Sequence, residues 1–263
     1  MTEAFLELRD VTKSFTLPAR EVVALSTTSL QIEQGALVCL LGPSGCGKST
    51  LLRLVAGFEQ PSGGNIIFHG KPISSPGPER GMIFQDYALF PWLTVRQNVA
   101  FGPRARGMGR RSAGDLADRY LDMVGLNEFA EVWPHQLSGG MRQRVAIARV
   151  LANDAKLVLM DEPFGALDAM TRERLQQELL TICAQTGLTV LFVTHSIEEA
   201  VLLGDRVIVM SAGPGRVVSD LAVSLPHPRD PTDASFNDIR RGLSEALHGG
   251  HSAAPVANGE PQQ

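Results

Sequence analysis

The sequence predicts an α/β protein built around a parallel sheet. Three observations carry that prediction: short, almost wholly apolar runs at 36–41, 157–160 and 190–194, segments of helical apolar spacing between them, and a glycine-rich loop joining the first run to a helix. With 263 residues the chain has room for one large domain or for a core with a satellite. Its 44% hydrophobic and 20% charged residues lie in the range of folded globular proteins, which argues against a fibrous or largely disordered chain.

Taken in order, residues 5–11 and 22–32 alternate loosely between apolar and polar and read as strands, the second ending in the turn-like Glu33-Gln34-Gly35. The buried run 36–41 breaks into the glycine-rich loop and then into a helix that Gly57 stops. A turn cluster at 61–64 precedes a short strand at 65–68, a Pro/Gly-rich loop covers 71–81, and a strand at 81–84 ends at Gln85. Between about 93 and 151 the texture turns helical. Leu116, Tyr120, Met123 and Val124 recur at helical spacing before Gly125, and a second helix begins after Ser138, so this stretch is the candidate satellite. A buried strand at 157–160 follows. The helix from Asp168 carries Leu175, Leu179 and Ile182 on one face before Gly187, and 190–194 is again a strand. Ser196-Ile197-Glu198-Glu199 has the spacing of a capping box. After Leu225 the composition turns to Pro, Asp, Gly, Ala and Gln, with a short helix expected at 237–247 and a mobile tail from His248.

Charge and cysteine usage remove several function classes. Lys and Arg number 24 against 28 Asp and Glu, a net charge of -4, so no global basic field exists to bind nucleic acid. The apolar runs fall far short of the roughly 20 residues that a membrane-spanning helix needs. The first ten residues mix Glu3, Glu7 and Arg9 among apolar positions, unlike a signal peptide, so a cytosolic location is expected. Cys39, Cys46 and Cys183 form no CxxC pair, and an odd number cannot all pair within one chain.

Gly42-Pro43-Ser44-Gly45-Cys46-Gly47-Lys48-Ser49 fits G-x-x-x-x-G-K-[ST] and lies between a buried strand and a helix N-terminus. Glycines let successive backbone N–H groups turn inward around phosphate oxygens, which the helix end also attracts. Lys48 then meets the β- and γ-phosphates, and Ser49 offers a hydroxyl to Mg²⁺. The apolar strand Leu157-Val158-Leu159-Met160 ends in Asp161 and Glu162. Asp161 suits a Mg²⁺ role in the outer shell, and Glu162 suits the base that polarises the attacking water. These two elements define a phosphate-loop NTPase but leave kinase, GTPase and motor open.

Leu137-Ser138-Gly139-Gly140-Met141-Arg142-Gln143-Arg144, placed between the two elements, resembles the signature motif of the ATP-binding cassette family. The resemblance covers roughly 5–218. It implies a P-loop NTPase core with a RecA-like parallel sheet, an N-terminal antiparallel β subdomain and an inserted α-helical subdomain at about 93–151, all within 1–225. Residues 226–263 then form a short extension, expected to be partly disordered. By position, Phe15 resembles the aromatic residue that stacks on adenine, although it equally fits a strand core, and Thr50 joins Gly42–Ser49 around the nucleotide. Gln85 resembles the glutamine that senses Mg²⁺ and the attacking water. Asp168, closing Ala166-Leu167-Asp168, resembles the loop through which two subunits communicate, and His195 resembles the switch histidine at the γ-phosphate. ATP and Mg²⁺ are the implied cofactors.

In this family the signature of one subunit, here Ser138, Gly139 and Gly140, closes over ATP held by the other. One copy of each element per chain therefore implies a homodimer with two composite sites. It also implies transmembrane permease subunits, an indirect solute-binding protein, no nucleic acid, and a peripheral position on the cytoplasmic face of the inner membrane. The aromatic stretch Gln85-Asp86-Tyr87-Ala88-Leu89-Phe90-Pro91-Trp92 suits a groove for a permease helix, with a core loop as the alternative. Ser75-Pro76-Gly77-Pro78-Glu79-Arg80-Gly81, Pro163-Phe164-Gly165, Ser211-Ala212-Gly213-Pro214-Gly215-Arg216-Val217 and Leu225-Pro226-His227-Pro228-Arg229 resemble the branch serving nitrate, sulfonate and taurine uptake. Taurine or an aliphatic sulfonate leads, with nitrate, a thiamine precursor or an aromatic carboxylate as rivals. The other class, a soluble cassette ATPase in DNA repair or on ribosomes, usually needs a long coiled-coil insertion or tandem cassettes with basic surfaces, and the sequence displays neither.

Overall fold

The computed structural model describes residues 4–18 and 20–249. Two long strands open the chain, β1 (Leu6–Leu17) and β2 (Arg20–Ile32), antiparallel with Leu6 opposite Ile32 and Phe15 opposite Val22. After β3 (Leu37–Leu41) and α1 (Lys48–Ala56), β4 (Gly63–Phe68) returns to pair with β1. The two-residue β5 (Lys71–Pro72) completes an antiparallel sheet in the order β2-β1-β4-β5. Next come β6 (Arg80–Ile83) and three helices, α2 (Val95–Ala105), α3 (Arg110–Met123) and α4 (Gly139–Ala152). The chain then runs through β7 (Leu157–Asp161), α5 (Ala169–Thr186), β8 (Thr189–Thr194), α6 (Ile197–Leu203), β9 (Arg206–Ser211), β10 (Arg216–Ala222) and α7 (Ala234–Gly249). The second sheet has the order β10-β9-β3-β8-β7-β6 and is parallel except for β10.

The continuous apolar runs follow from burial on both faces of this sheet. Alternate side chains of one strand enter different cores. Leu37, Cys39 and Leu41 of β3, with Val158, Met160, Val190 and Phe192, face the core that α2 to α7 cover. Val38 and Leu40, with Leu157, Leu159, Leu191 and Val193, face the core shared with α1 and the antiparallel sheet. Each fully buried Leu or Val contributes about 1.5–3 kcal/mol relative to exposure, so the central strands are held from both sides. The carboxyl ends of β3, β7 and β8 are thereby fixed beside one another, and the chemistry-bearing residues follow those ends.

Three local readings are corrected. Ser196 does cap α6, accepting from Glu199 N at 3.2 Å, but the capping box is only half formed. Glu199 is 9% exposed and accepts instead from Gln176 Nε2 at 2.9 Å, while Ser196 N donates to Thr194 Oγ1. The helix expected at 237–247 runs Ala234–Gly249 and buries Phe236 and Leu243 in the main core. His248, where a mobile tail was expected to begin, lies in its last turn, and 250–263 fall outside the described residues. The β9–β10 hairpin has no counterpart in the sequence reading.

Candidate active site

The phosphate loop is shaped by close backbone approaches on both sides. A Cβ on Gly47, whose φ is 87°, meets Ala24 O at 2.7 Å, and a Cβ on Gly42 meets Met210 O at 2.6 Å. Only glycine fits either place, so β2 and β9 clamp the loop from opposite flanks. Gly215 reinforces this, accepting from Ser26 N at 2.8 Å and donating to Ala24 O at 3.2 Å. Lys48 opens α1 and is 5% exposed. Its Nζ donates to Gly42 O at 2.7 Å and Pro43 O at 2.9 Å, and among the described residues it makes no ion pair with a carboxylate. Its third partner is the Cys46 sulfur at 3.6 Å, and a buried ammonium held by neutral groups alone at a helix N-terminus is a site for an anion.

The acidic pair closes this site from the neighbouring strand. Ser49 Oγ donates to Asp161 Oδ1 at 2.9 Å, which joins the first turn of α1 to the end of β7. Burial pushes the Asp161 carboxyl above its ordinary range, and the Ser49 hydrogen bond opposes that shift. Glu162, one residue further, has a left-handed backbone with φ 47° and donates its N–H to Val193 O. A non-glycine residue there is strained and persists only where its surroundings hold it. Its Oε2 lies 3.0 Å from His195 Nδ1, just beyond β8. Gln85, past β6, completes the group: a Cβ placed on Gly165 lies 3.8 Å from Gln85 Nε2 and 3.9 Å from Glu162 Oε2. Gln85 and Asp161 also line one cavity of about 640 Å³.

The remaining predicted residues lie apart from this cluster. Ser138 is exposed and caps α4, accepting from Met141 N at 3.3 Å. Gly139 and Gly140 start that helix against Leu167 and Thr171, the segment around Asp168. Asp168 caps α5 and accepts from Thr171 N at 3.0 Å, a bond that lowers its pKa. Among the described residues no hydrogen bond joins Ser138, Gly139 or Gly140 to the loop from Gly42 to Thr50. Phe15 is half-buried, belongs to neither core, and has the Lys13 ammonium 4.8 Å from its ring centroid.

Two constellations near the site escaped the sequence reading. Glu199, Gln176 and Thr194 form a buried polar group behind His195, and all of them, with Glu162, line a cavity of about 440 Å³. Arg149 on α4 donates to Ala88 O at 2.6 Å and Tyr87 O at 3.0 Å, holding two residues whose φ values are 45° and 62°. Neither has a local sequence signal, because the partners are 23 and 61 or more residues apart.

Fold and site together define a phosphate-loop NTPase. A family model for the ABC transporter matches residues 25–165. The nitrate import ATP-binding protein NrtD of Synechocystis sp. is 49% identical over 236 residues, 90% of this chain and 89% of that protein. The taurine import ATP-binding protein TauB of Jannaschia sp. is 48% identical over 237 residues, 90% and 88% of the two chains. Among solved structures, the dimeric bacterial ABC transporter cassette MJ0796 superposes with a TM-score of 0.74 at 33% identity, covering 84% of this chain and all of that one. The same cassette, at 32% identity, has been solved in a post-hydrolysis state bound to ADP and Pi. The chain belongs to the ABC transporter family and is its ATP-binding, ATP-hydrolysing subunit.

Proposed function

We propose that this chain energises import of a small anion through a membrane permease, with taurine or an aliphatic sulfonate as the lead substrate. The observation that carries the mechanism is the Glu162–His195 pair at 3.0 Å, set one residue beyond Asp161. In the proposed cycle ATP lies along Gly42, Pro43, Ser44, Gly45, Cys46, Gly47, Lys48, Ser49 and Thr50, and Phe15, which belongs to neither core, stacks on adenine. Lys48 meets the β- and γ-phosphates in place of its loop carbonyls. Glu162 accepts the proton of the attacking water, and His195 holds Glu162 and reaches the γ-phosphate. The donor set of Ser49, Asp161 and Gln85 is all oxygen, which suits Mg²⁺ bound through few protein ligands plus phosphate and water. When bound, that ion neutralises charge developing on the phosphates.

That no hydrogen bond among the described residues joins Ser138, Gly139 or Gly140 to their own phosphate loop supports a homodimer in which each signature completes the partner's site, with Asp168 at the junction. MJ0796 is dimeric. No helix among the described residues is long and apolar enough to cross a membrane, so transport falls to permease subunits, served by a solute-binding protein. Their contact is proposed at Phe90 and Trp92. Asn98 pins this stretch to α2, accepting from Phe90 N at 2.8 Å and donating to Phe90 O, Leu93 O and Thr94 O, which leaves Trp92 67% exposed. The proposed position is peripheral, on the cytoplasmic face of the inner membrane. Nitrate is the second reading, favoured by the similarity to a nitrate import protein. Reconstitution with the cognate permease and binding protein decides between them: taurine or an alkanesulfonate is expected to stimulate ATP hydrolysis, and stimulation by nitrate alone reverses the assignment.

A further inference from the structure

Four arginines crowd the tip between α2 and α3, where the chain reads Arg104-Ala105-Arg106-Gly107-Met108-Gly109-Arg110-Arg111. All four are exposed, and among the described residues none of their side chains makes an ion pair or hydrogen bond. Several arginines elsewhere are paired, among them Arg96 with Asp118, Arg174 with Glu178, and Arg206 with Asp220. What marks the tip is density: four guanidiniums within eight residues of a chain whose net charge is -4.

A charge run is ordinarily a solvated face, and two features set this one apart. Arg104, Arg110 and Arg111 converge with Arg96 on a cavity of about 500 Å³ between the two helices, where Asp115 and Glu131 are the acidic groups. Arg96 is bound to Asp118 and lies 3.9 Å from Glu131, which leaves three guanidiniums against Asp115. The cluster is also continuous with exposed apolar surface. Phe101 is 46% exposed one turn before Arg104, its ring lies 4.5 Å from that of Phe90, and Phe90 lies 5.6 Å from Trp92. Met108 is exposed at the tip itself.

We propose that this arginine tip binds the phosphodiester headgroups of anionic lipid at the membrane surface beside the permease. Guanidinium groups fork onto phosphate oxygens. Arginine beside exposed Phe101 and Met108 is a composition that lies at a headgroup boundary, and the net charge of -4 disfavours a polyanion such as nucleic acid. The attraction is local, so the acidic remainder of the surface faces away from the bilayer and orients the chain. The inference rests on the reading that the chain works against a membrane-embedded permease, but it requires no permease to test.

The test is co-sedimentation of the full chain with vesicles of phosphatidylcholine alone or mixed with phosphatidylglycerol. Binding is expected only to the mixed vesicles and is expected to weaken with salt. Replacing Arg104, Arg106, Arg110 and Arg111 by Gln should weaken it by roughly fivefold per residue, with basal ATP hydrolysis unchanged. Arg174→Gln, on α5, should leave vesicle binding at the wild-type level. Equal binding to both vesicle types, an unaffected quadruple variant, binding of inorganic phosphate without vesicle binding, or tighter binding to an oligonucleotide than to the mixed vesicles each overturns the proposal. If vesicle binding fails while the permease still co-purifies, the lipid contact is wrong and the importer reading stands.

Discussion

Nδ1 of His195 lies 3.0 Å from Oε2 of Glu162, the two residues following the ends of different strands, β8 and β7, and Glu162 having a left-handed backbone. The strain is stabilised by β7 and β8, which run parallel and buried side by side with Asp161 opposite Val193. The position of Glu162, the proposed base, is thus a property of the sheet, so its carboxylate is expected to be removable without disturbing the fold.

Glu162→Gln keeps the shape and removes the proposed base. Steady-state ATP hydrolysis should fall between about a hundredfold and ten-thousandfold, while ATP-dependent dimer formation, followed by gel filtration, should persist. Wild-type turnover in this variant contradicts the assignment.

Glu199 gives a pH signature of the polar group behind His195. Burial is the first cause that raises its pKa above the ordinary 4.5, opposed by hydrogen bonds from Thr194 and Gln176 and by the charges of Arg172 and His195. A carboxyl with a raised folded pKa favours the folded state below its unfolded value, and this stability is lost as pH rises through the folded value. Glu199→Gln removes that titration. Relative to wild type, the variant should therefore be more stable at neutral pH than at pH values below 4.5, a difference that urea unfolding at the two pH values measures. A gap that does not change with pH speaks against a buried, titrating Glu199.

Phe236 is 1% exposed in the main core, so α7 is part of the fold. Phe236→Ala should destabilise the protein by about 3–5 kcal/mol in denaturant titration. A loss below about 1 kcal/mol, the range of surface changes, indicates that the helix packs loosely.

What was legible in the sequence is what is local. The loop from Gly42 to Ser49, the acidic ending of β7 and the Ser138 cap each declare themselves within eight residues, because each is a strand end or helix start with its own chemistry. The strand order β10-β9-β3-β8-β7-β6 was not legible, since parallel neighbours are chosen by packing on both faces. The same holds for Glu199. Its spacing from Ser196 satisfied the capping rule, but Gln176, brought close by α5, offered a buried donor and won the carboxylate. Phe236 and Leu243 were hidden by the polar residues around them, although their spacing of seven residues marks one helical face.

The central claim is that each ATP site is built from two chains, and mixing two inactive variants tests it most directly. Lys48→Ala removes the phosphate-loop charge, and Ser138→Arg blocks the signature. In a mixed dimer, the intact loop of the Ser138→Arg chain faces the intact signature of the Lys48→Ala chain. ATP hydrolysis should therefore return when the two are combined under conditions that allow subunit exchange. A mixture no more active than its separate components contradicts the composite site.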